Sequence, residues 1–185
     1  FTSVSLANTV NSILNINKFV FEEKKYSFEE LNEERKNNFN DEKILNELKF
    51  QSLRYGKDEK EVIQLTNLII NWIGEYLKDK NNKYDGKYKF GLSAPSYIDE
   101  SREFEATFDG RRIGEPFIVH ISSDITSNPY TELIQFASKL DYNKASFNGN
   151  VIDFIVTPSF IESNKEKFLD FLILSTKVGF FQMQM

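Results

Sequence analysis

The chain has 185 residues, enough for one domain or a large piece of one. Its net charge of −5 and the lack of a basic stripe argue against nucleic acid as the main partner; no apolar run reaches membrane-spanning length, and no stretch reads as a signal peptide. Cysteine is absent, which excludes disulfides, thiolate zinc sites and cysteine nucleophiles within these residues, while hydrophobic residues at 40% and 18 Phe predict a core with large aromatic anchors.

Residues 3 to 21 carry a near-helical apolar stripe of Leu6, Val10, Ile13, Leu14 and Phe21, with Asn17 as its polar gap. Ser27-Phe28-Glu29-Glu30 has the form of a capping box and predicts a second helix from Ser27 to about Asn38. Asp41 can cap a third, with Ile44, Leu45, Leu48 and Leu53 inward and Gly56 placed to end it. Asp58, three residues ahead of Glu61, predicts the start of the longest helix, whose stripe is Val62, Leu65, Ile69, Trp72, Ile73, Tyr76 and Leu77.

Beyond a polar loop at 81–86, Lys87 to Leu92 reads as a short strand, Tyr97 to Thr107 as a long polar loop, and Phe117 to Ile121 as β-leaning. Asn128 and Pro129 predict a helix start with Leu133, Phe136, Ala137 and Leu140 inward. A turn is expected at Phe147–Asn150. Val151 to Thr157 is nearly continuously apolar, which suits a strand covered on both faces, and Pro158 ends it. Ser163 with Glu166 predicts a cap for a helix running through Lys177 and closed by Gly179, followed by a strand at Phe180–Met185. This strand-helix-strand order predicts an α/β fold with right-handed parallel crossovers in 87–185 behind a helical layer in 1–80, as a single segment. Phe1 is not a start residue and the last strand stops without a turn, so a piece of a longer protein is expected.

The chain is punctuated most densely at Asp109-Gly110-Arg111-Arg112-Ile113-Gly114-Glu115-Pro116. The glycines permit positive φ, Pro116 halts any helix, and Asp109 is close enough to Arg111 or Arg112 to pin a turn. A solvated surface loop is the competing reading. His120, the single histidine, sits in a β-leaning run, where a structural role is the default; Ser122, Ser123 and Asp124 lie near it, but adjacency in sequence does not make a triad. The glycines near Asp109 have the wrong spacing for a nucleotide fingerprint, and no carboxylate-histidine cluster marks a metal site. Val156-Thr157-Pro158 closes a predicted strand, the end at which parallel α/β architectures place chemistry; a proline that only stops the strand is the alternative.

Four stretches in this order carry a resemblance. They are Leu6-Ala7-Asn8 through Val20-Phe21-Glu22-Glu23 and Ser27 to Phe39; Arg54-Tyr55-Gly56-Lys57-Asp58 with Val62; Ala106 to Pro116; and Phe180-Phe181-Gln182-Met183-Gln184. Together they resemble glycyl radical enzymes, the superfamily of pyruvate formate-lyase and the diol dehydratase-like lyases. The third is similar to that family's Ala-Thr-Pro-Asp-Gly-Arg-(Lys/Arg)-Ala-Gly-Glu-Pro run, with Phe108 in place of Pro. Lys57 replaces an Asn, and Ser122-Ser123-Asp124 and Asn128-Pro129-Tyr130-Thr131 stand where the family has Ser-Pro and Gly-Pro-Thr-Ala, which leaves the subclass open.

The resemblance implies part of a ten-stranded α/β barrel of the pyruvate formate-lyase type, between the catalytic cysteine loop and the glycyl radical loop. It implies a cytoplasmic, anaerobic homodimer acting on a small-molecule substrate, with no nucleic acid or membrane partner. No cofactor is expected within these residues; a glycyl radical is expected in the full-length protein, installed by a radical S-adenosylmethionine activase. No catalytic residue is assigned here. By analogy Val156, Thr157 and Pro158 touch substrate, while Asp109, Gly110 and Arg111 brace their loop. A non-catalytic barrel-wall module is the second expectation.

Overall fold

The fold is taken from a computed structural model that describes residues 5–94, 96–123, 129–144, 151–178 and 182–184. Helix dominates the described residues. Helix α1 (Leu6–Ile16) runs into a π-helical segment at Asn17–Glu22, where the Glu23 N–H reaches back to the Lys18 carbonyl at 2.8 Å. The Asn17 amide donates to Glu22 at 2.7 Å across the same five-residue step. The wider turn sends Phe19 into the core and leaves Phe21 66% exposed, so the predicted stripe ends before Phe21.

Helix α2 (Phe28–Lys36) starts at the expected capping box: Ser27 Oγ accepts from the Glu30 N–H, and Glu30 accepts from the Ser27 N–H. Helix α3 (Glu42–Phe50) is capped by Asp41, which accepts from the N–H groups of Lys43 and Ile44. It ends at Phe50, so Gly56, at φ 93°, serves a later turn. Helix α4 (Lys60–Lys78) begins after Glu59. The expected cap, Asp58, is drawn away by an ion pair with Lys139, and its N–H points to Glu132 at 3.4 Å. Val62, Thr66, Ile70 and Leu77 are the buried residues of α4; Trp72 and Tyr76, predicted inward, face out.

The second half departs further from expectation. Lys87–Leu92 forms no strand; Lys87 makes only an isolated antiparallel bridge to Asn81. A short helix α5 (Asp99–Glu103) interrupts the predicted loop. Phe117–Ile121 forms no strand because its N–H groups go to unrelated partners: Phe117 to the Tyr97 carbonyl, Ile118 to Asn8 Oδ1, Ile121 to the Val151 carbonyl. A ladder needs one continuous neighbour. Helix α6 (Tyr130–Ser138) follows Pro129, which occupies the cap position rather than the first helical one; Asn128, the predicted cap, lies outside the described residues. Leu133, Phe136, Ala137 and Leu140 are buried as predicted.

Strand β1 covers only Val151–Asp153. The ladder stops there because the Tyr130 hydroxyl accepts from the Ile155 N–H at 3.0 Å and donates to the Ile155 carbonyl at 2.6 Å, taking the place of a neighbouring strand. Thr157 then caps helix α7 (Pro158–Ser163), accepting from the Phe160 N–H, with Pro158 at the first helical position. Ser163 is therefore a helix end and not a cap; α8 (Lys165–Lys177) begins after Asn164. The chain returns as β2 (Gln182–Gln184), parallel to β1 with Val151 opposite Gln182 and Asp153 opposite Gln184. The expected turn at Phe147–Asn150, Gly179, and the flanks of the last strand lie outside the described residues. The α/β expectation thus holds as a helical layer plus one parallel β-helix-β unit, with fewer strands than predicted.

Two apolar clusters organise the packing. The larger joins α1, α4, α6, β1 and α8 through residues such as Val10, Ile70, Phe136 and Ile152, with Tyr55 edge-on to Phe136 at 4.7 Å. The smaller gathers Phe19, Leu31, Phe39, Leu45 and Leu48 beneath Ala106.

Candidate functional site

The smaller cluster and α1 together seat the Asp109–Pro116 loop: Asp109, Gly110 and Arg111 are buried, while Ile113, Gly114 and Pro116 form an exposed tip. Thr107 and Arg111 close it: the Thr107 N–H donates to the Arg111 carbonyl, and the Gly110 N–H to the Thr107 carbonyl, both at 3.0 Å. Gly110 has φ 91°, and a Cβ there would lie 2.8 Å from Lys49 Cγ and 3.4 Å from Leu45 Cδ1, so conformation and space both require glycine.

Asp109 is buried and accepts from the Asn8 amide at 2.6 Å, the Thr107 hydroxyl at 2.5 Å and the Arg111 N–H at 3.3 Å. The expected pinning bond is thus to the main chain of Arg111. Its guanidinium, 4% exposed, is caged instead by the carbonyls of Arg112, Glu115, Phe104 and Glu105 and lies 4.2 Å from the Phe117 ring centre. Burial pulls its pKa below the ordinary arginine value, against the opposing pull of Asp109 and Glu115. Arg112 reaches Glu42 at 2.5 Å and the Phe39 carbonyl at 2.9 Å, and the Ile113 N–H donates to Asn38 Oδ1 at 2.7 Å. Asn38 and Phe39 both have positive φ, so the loop clamps a strained corner between α2 and α3.

The opposite wall is a ladder of asparagines on α1. Asn8, Asn11 and Asn15 share one helix face and are all buried. Asn8 bridges Asp109 to the Ile118 N–H; Asn11 accepts from the Tyr55 N–H at 2.7 Å; Asn15 donates to the carbonyls of Leu48 and Phe108. Arg54, also buried, donates to the carbonyls of Leu48 and Asp109. Sequence reasoning passed over these asparagines by counting only apolar positions, yet their 3-then-4 spacing is a helical stripe in its own right. Clefts of about 450 Å³ beside Arg35 and Phe108, and about 350 Å³ beside Lys49 and Asp109, flank the loop.

Beneath the corner, Glu47 is a buried carboxylate paired with Lys25 at 2.8 Å and accepting from the Tyr26 hydroxyl at 2.7 Å. These two bonds, the Lys25 one foremost, hold its pKa below the ordinary value of 4.5 against desolvation. A carboxylate with a depressed folded-state pKa stabilises the fold above the unfolded pKa and loses that contribution as pH falls through the folded one. The melting temperature of the wild type should therefore fall below about pH 4.5. Glu47→Gln should melt earlier at pH 7 and show a shallower acid decline; equal slopes in calorimetry would contradict this.

Val156 is half-buried, and Thr157 and Pro158 are exposed at the start of α7. They lie on the connection leaving β1, apart from the Asp109 loop. Ser122 Oγ accepts from the Asp153 N–H at 2.9 Å and donates to its carboxylate at 3.2 Å. His120, at φ 55°, has a buried Nδ1 without a hydrogen-bond partner, and desolvation lowers its pKa. Among the described residues no hydroxyl is seated against that imidazole, so a Ser-His arrangement is not assembled; Asp124 lies outside them.

A helical layer feeding a parallel β-helix-β unit carries the buried Asp109-Gly110-Arg111 turn. The chain belongs to the pyruvate formate lyase-like family, whose model matches residues 1–97. Among solved structures, hydroxyproline dehydratase from Clostridioides difficile with bound trans-4-hydroxy-L-proline superposes at TM-score 0.88 and 20% identity, over 100% of this chain and 24% of that one. The glycerol-bound B12-independent glycerol dehydratase from Clostridium butyricum matches at 0.86 and 25% identity, over 97% and 23%. A glycyl radical enzyme from Archaeoglobus fulgidus matches at 0.85 and 24%, over 99% and 24%. The chain thus spans about a quarter of the length of these enzymes. No curated protein sequence matches it. Among the described residues, no helix is long and apolar enough to cross a membrane.

Proposed function

We propose that these residues form a wall of the barrel in a glycyl radical lyase, dehydratase or decarboxylase acting on a small organic substrate. The observation that carries this is likeness of fold over the whole chain to three such structures, joined to an Asp109 loop built as a rigid junction. The radical, installed by a radical S-adenosylmethionine activating enzyme, supplies hydrogen abstraction from substrate; with no cysteine in these residues, the sulfur that mediates it comes from elsewhere in the polypeptide or its partner. The role of this chain is positional. Asp109, Gly110 and Arg111 fix the loop against α1 and α3, and Val156, Thr157 and Pro158 face the substrate side at the exit of β1. A cytoplasmic homodimer is part of the same reading.

A second reading is a non-catalytic wall module that assembles with another polypeptide. Incubating the 185-residue chain with an activating enzyme, reductant and S-adenosylmethionine without oxygen should give no glycyl radical by electron paramagnetic resonance. A doublet from this chain alone would refute the positional role. The reading frame on either side separates the two readings: a cysteine loop upstream and a radical glycine loop downstream favour the enzyme, and stop codons there favour the module.

A further inference from the structure

The 119–122 turn is held shut against two local penalties. Its closing bond runs from the Ser122 N–H to the Val119 carbonyl at 3.1 Å. His120 fills the second position at φ 55°, which glycine adopts without steric cost and a residue with a Cβ does not. The ring of His120 places Nδ1 in a buried setting, and among the described residues nothing hydrogen-bonds to it.

The turn lies across β1 as a strap. The Ile121 N–H donates to the Val151 carbonyl at 3.1 Å. Ser122 Oγ accepts from the Asp153 N–H at 2.9 Å and donates to its carboxylate at 3.2 Å. Upstream, the Ile118 N–H is anchored on Asn8 Oδ1 at 2.8 Å. Ile121 is fully buried in the larger cluster. That burial and the strap bonds outweigh the strain at His120 and its unmet nitrogen. The balance depends on charge. A neutral imidazole can keep its proton on Nε2 and leave a lone pair at Nδ1, whereas an imidazolium carries N–H on both nitrogens. The second proton would then be buried without an acceptor, which is costly.

We propose that this turn is a pH-operated latch on β1, closed while His120 is neutral and released when the ring takes a second proton. The released ring has a destination. Asp153 is the charged group that acts on it among the described residues, and its carboxylate attracts the imidazolium in competition with Ser122. Leaving φ 55° relieves the backbone in the same step. Desolvation lowers the His120 pKa in the closed turn, with Asp153 opposing the fall. A depressed folded-state pKa stabilises the closed form above the ordinary histidine value of about 6.5, and that stability is lost as pH falls below it. Glu47 titrates in a lower range, so the two effects are separable. The latch needs no radical chemistry and stands apart from the enzymatic reading.

Nuclear magnetic resonance on the purified chain tests it. His120 is the single histidine, so its ring signals are unambiguous. They should show the Nε2–H tautomer at pH 7.5 and titrate below about pH 6.5. Amide exchange, corrected for its intrinsic pH dependence, should show roughly 3- to 10-fold less protection at Ile121 and Asp153 at pH 5 than at pH 7.5, while Ile70 keeps its protection. The global melting temperature should move by only a few °C over the same interval. His120→Gly, which suits the backbone and carries no imidazole, should abolish the loss at both amides. Asp153→Asn should move the ring's titration to lower pH. Equal protection at the two pH values would overturn the proposal, as would a ring that titrates at or above about pH 6.5 or a His120→Gly chain that keeps the wild-type dependence. A titration moved upward by Asp153→Asn would overturn the part given to that carboxylate.

Discussion

Arg111→Ala should lower the unfolding midpoint of the chain by about 10 °C, the product of roughly 3–5 kcal/mol and 2–4 °C per kcal/mol for a domain of this size. The reason is the cage. The guanidinium satisfies carbonyls on both strands of the loop and covers the Phe117 ring. Its loss leaves those oxygens buried without donors and removes the cation that faces Asp109 and Glu115. Arg111→Lys should recover little, because one ammonium cannot span carbonyls that the planar fork reaches from two nitrogens. If lysine restored the wild-type midpoint in differential scanning calorimetry, the multi-carbonyl cage would not be the source of the stability.

The second large effect concerns Asn8 and Asp109. Their bond is 2.6 Å long, buried, and spans 101 residues of sequence. Asn8→Ala and Asp109→Ala should each cost about 2–4 kcal/mol, with a coupling of about 1–3 kcal/mol in the double variant, because each removes the other's partner. Asn8→Asp is the sharper probe. It places two carboxylates where one amide donated to one acceptor, so one of them should titrate with a raised pKa. A raised carboxyl pKa lowers stability as pH rises, so this variant should melt much earlier at pH 8 than at pH 5 while the wild type changes little over that interval. Denaturant titrations at the two pH values read the difference directly. Parallel curves for the two proteins would mean that the pair carries no electrostatic weight.

Much of the helical half was legible because helix boundaries obey local rules. The Ser27 box and the Asp41 cap are written in adjacent residues and form as written. Gly110 was legible for the same reason, since a glycine between Asp and Arg marks a positive φ whatever packs around it. Competition between local signals was harder to read. Asp58 and Ser163 both look like caps, yet Asp58 is captured by Lys139, and Thr157-Pro158 starts a helix before Ser163 can. The β content was over-read because apolar runs report burial and not ladder pairing. Phe117–Ile121 is buried or half-buried, but its backbone groups are met by Asn8 and isolated carbonyls; of Phe154–Thr157 only Phe154 is buried, Ile155 is 62% exposed, and Tyr130 meets the backbone of Ile155. Trp72 and Tyr76 misled in the opposite sense: they continue the apolar period of α4 on a side that the rest of the chain does not reach. At the loop, the sequence marked the turn but not its asparagine wall, since nothing local ties Asn8 to a carboxylate so far along the chain.

The outer margin of β1 has a bearing on self-association. Its Val151 N–H is taken by Ser93 Oγ, its Val151 carbonyl by Ile121, and its Asp153 N–H by Ser122 Oγ, so two hydroxyls and a loop amide stand where another strand would dock. A runaway cross-β stack cannot recruit from that side without first evicting serines from a buried setting. Ser93→Ala with Ser122→Ala would strip that guard from a strand that begins with Val151 and Ile152, and fibril growth, followed by thioflavin fluorescence, is the failure such a variant should display.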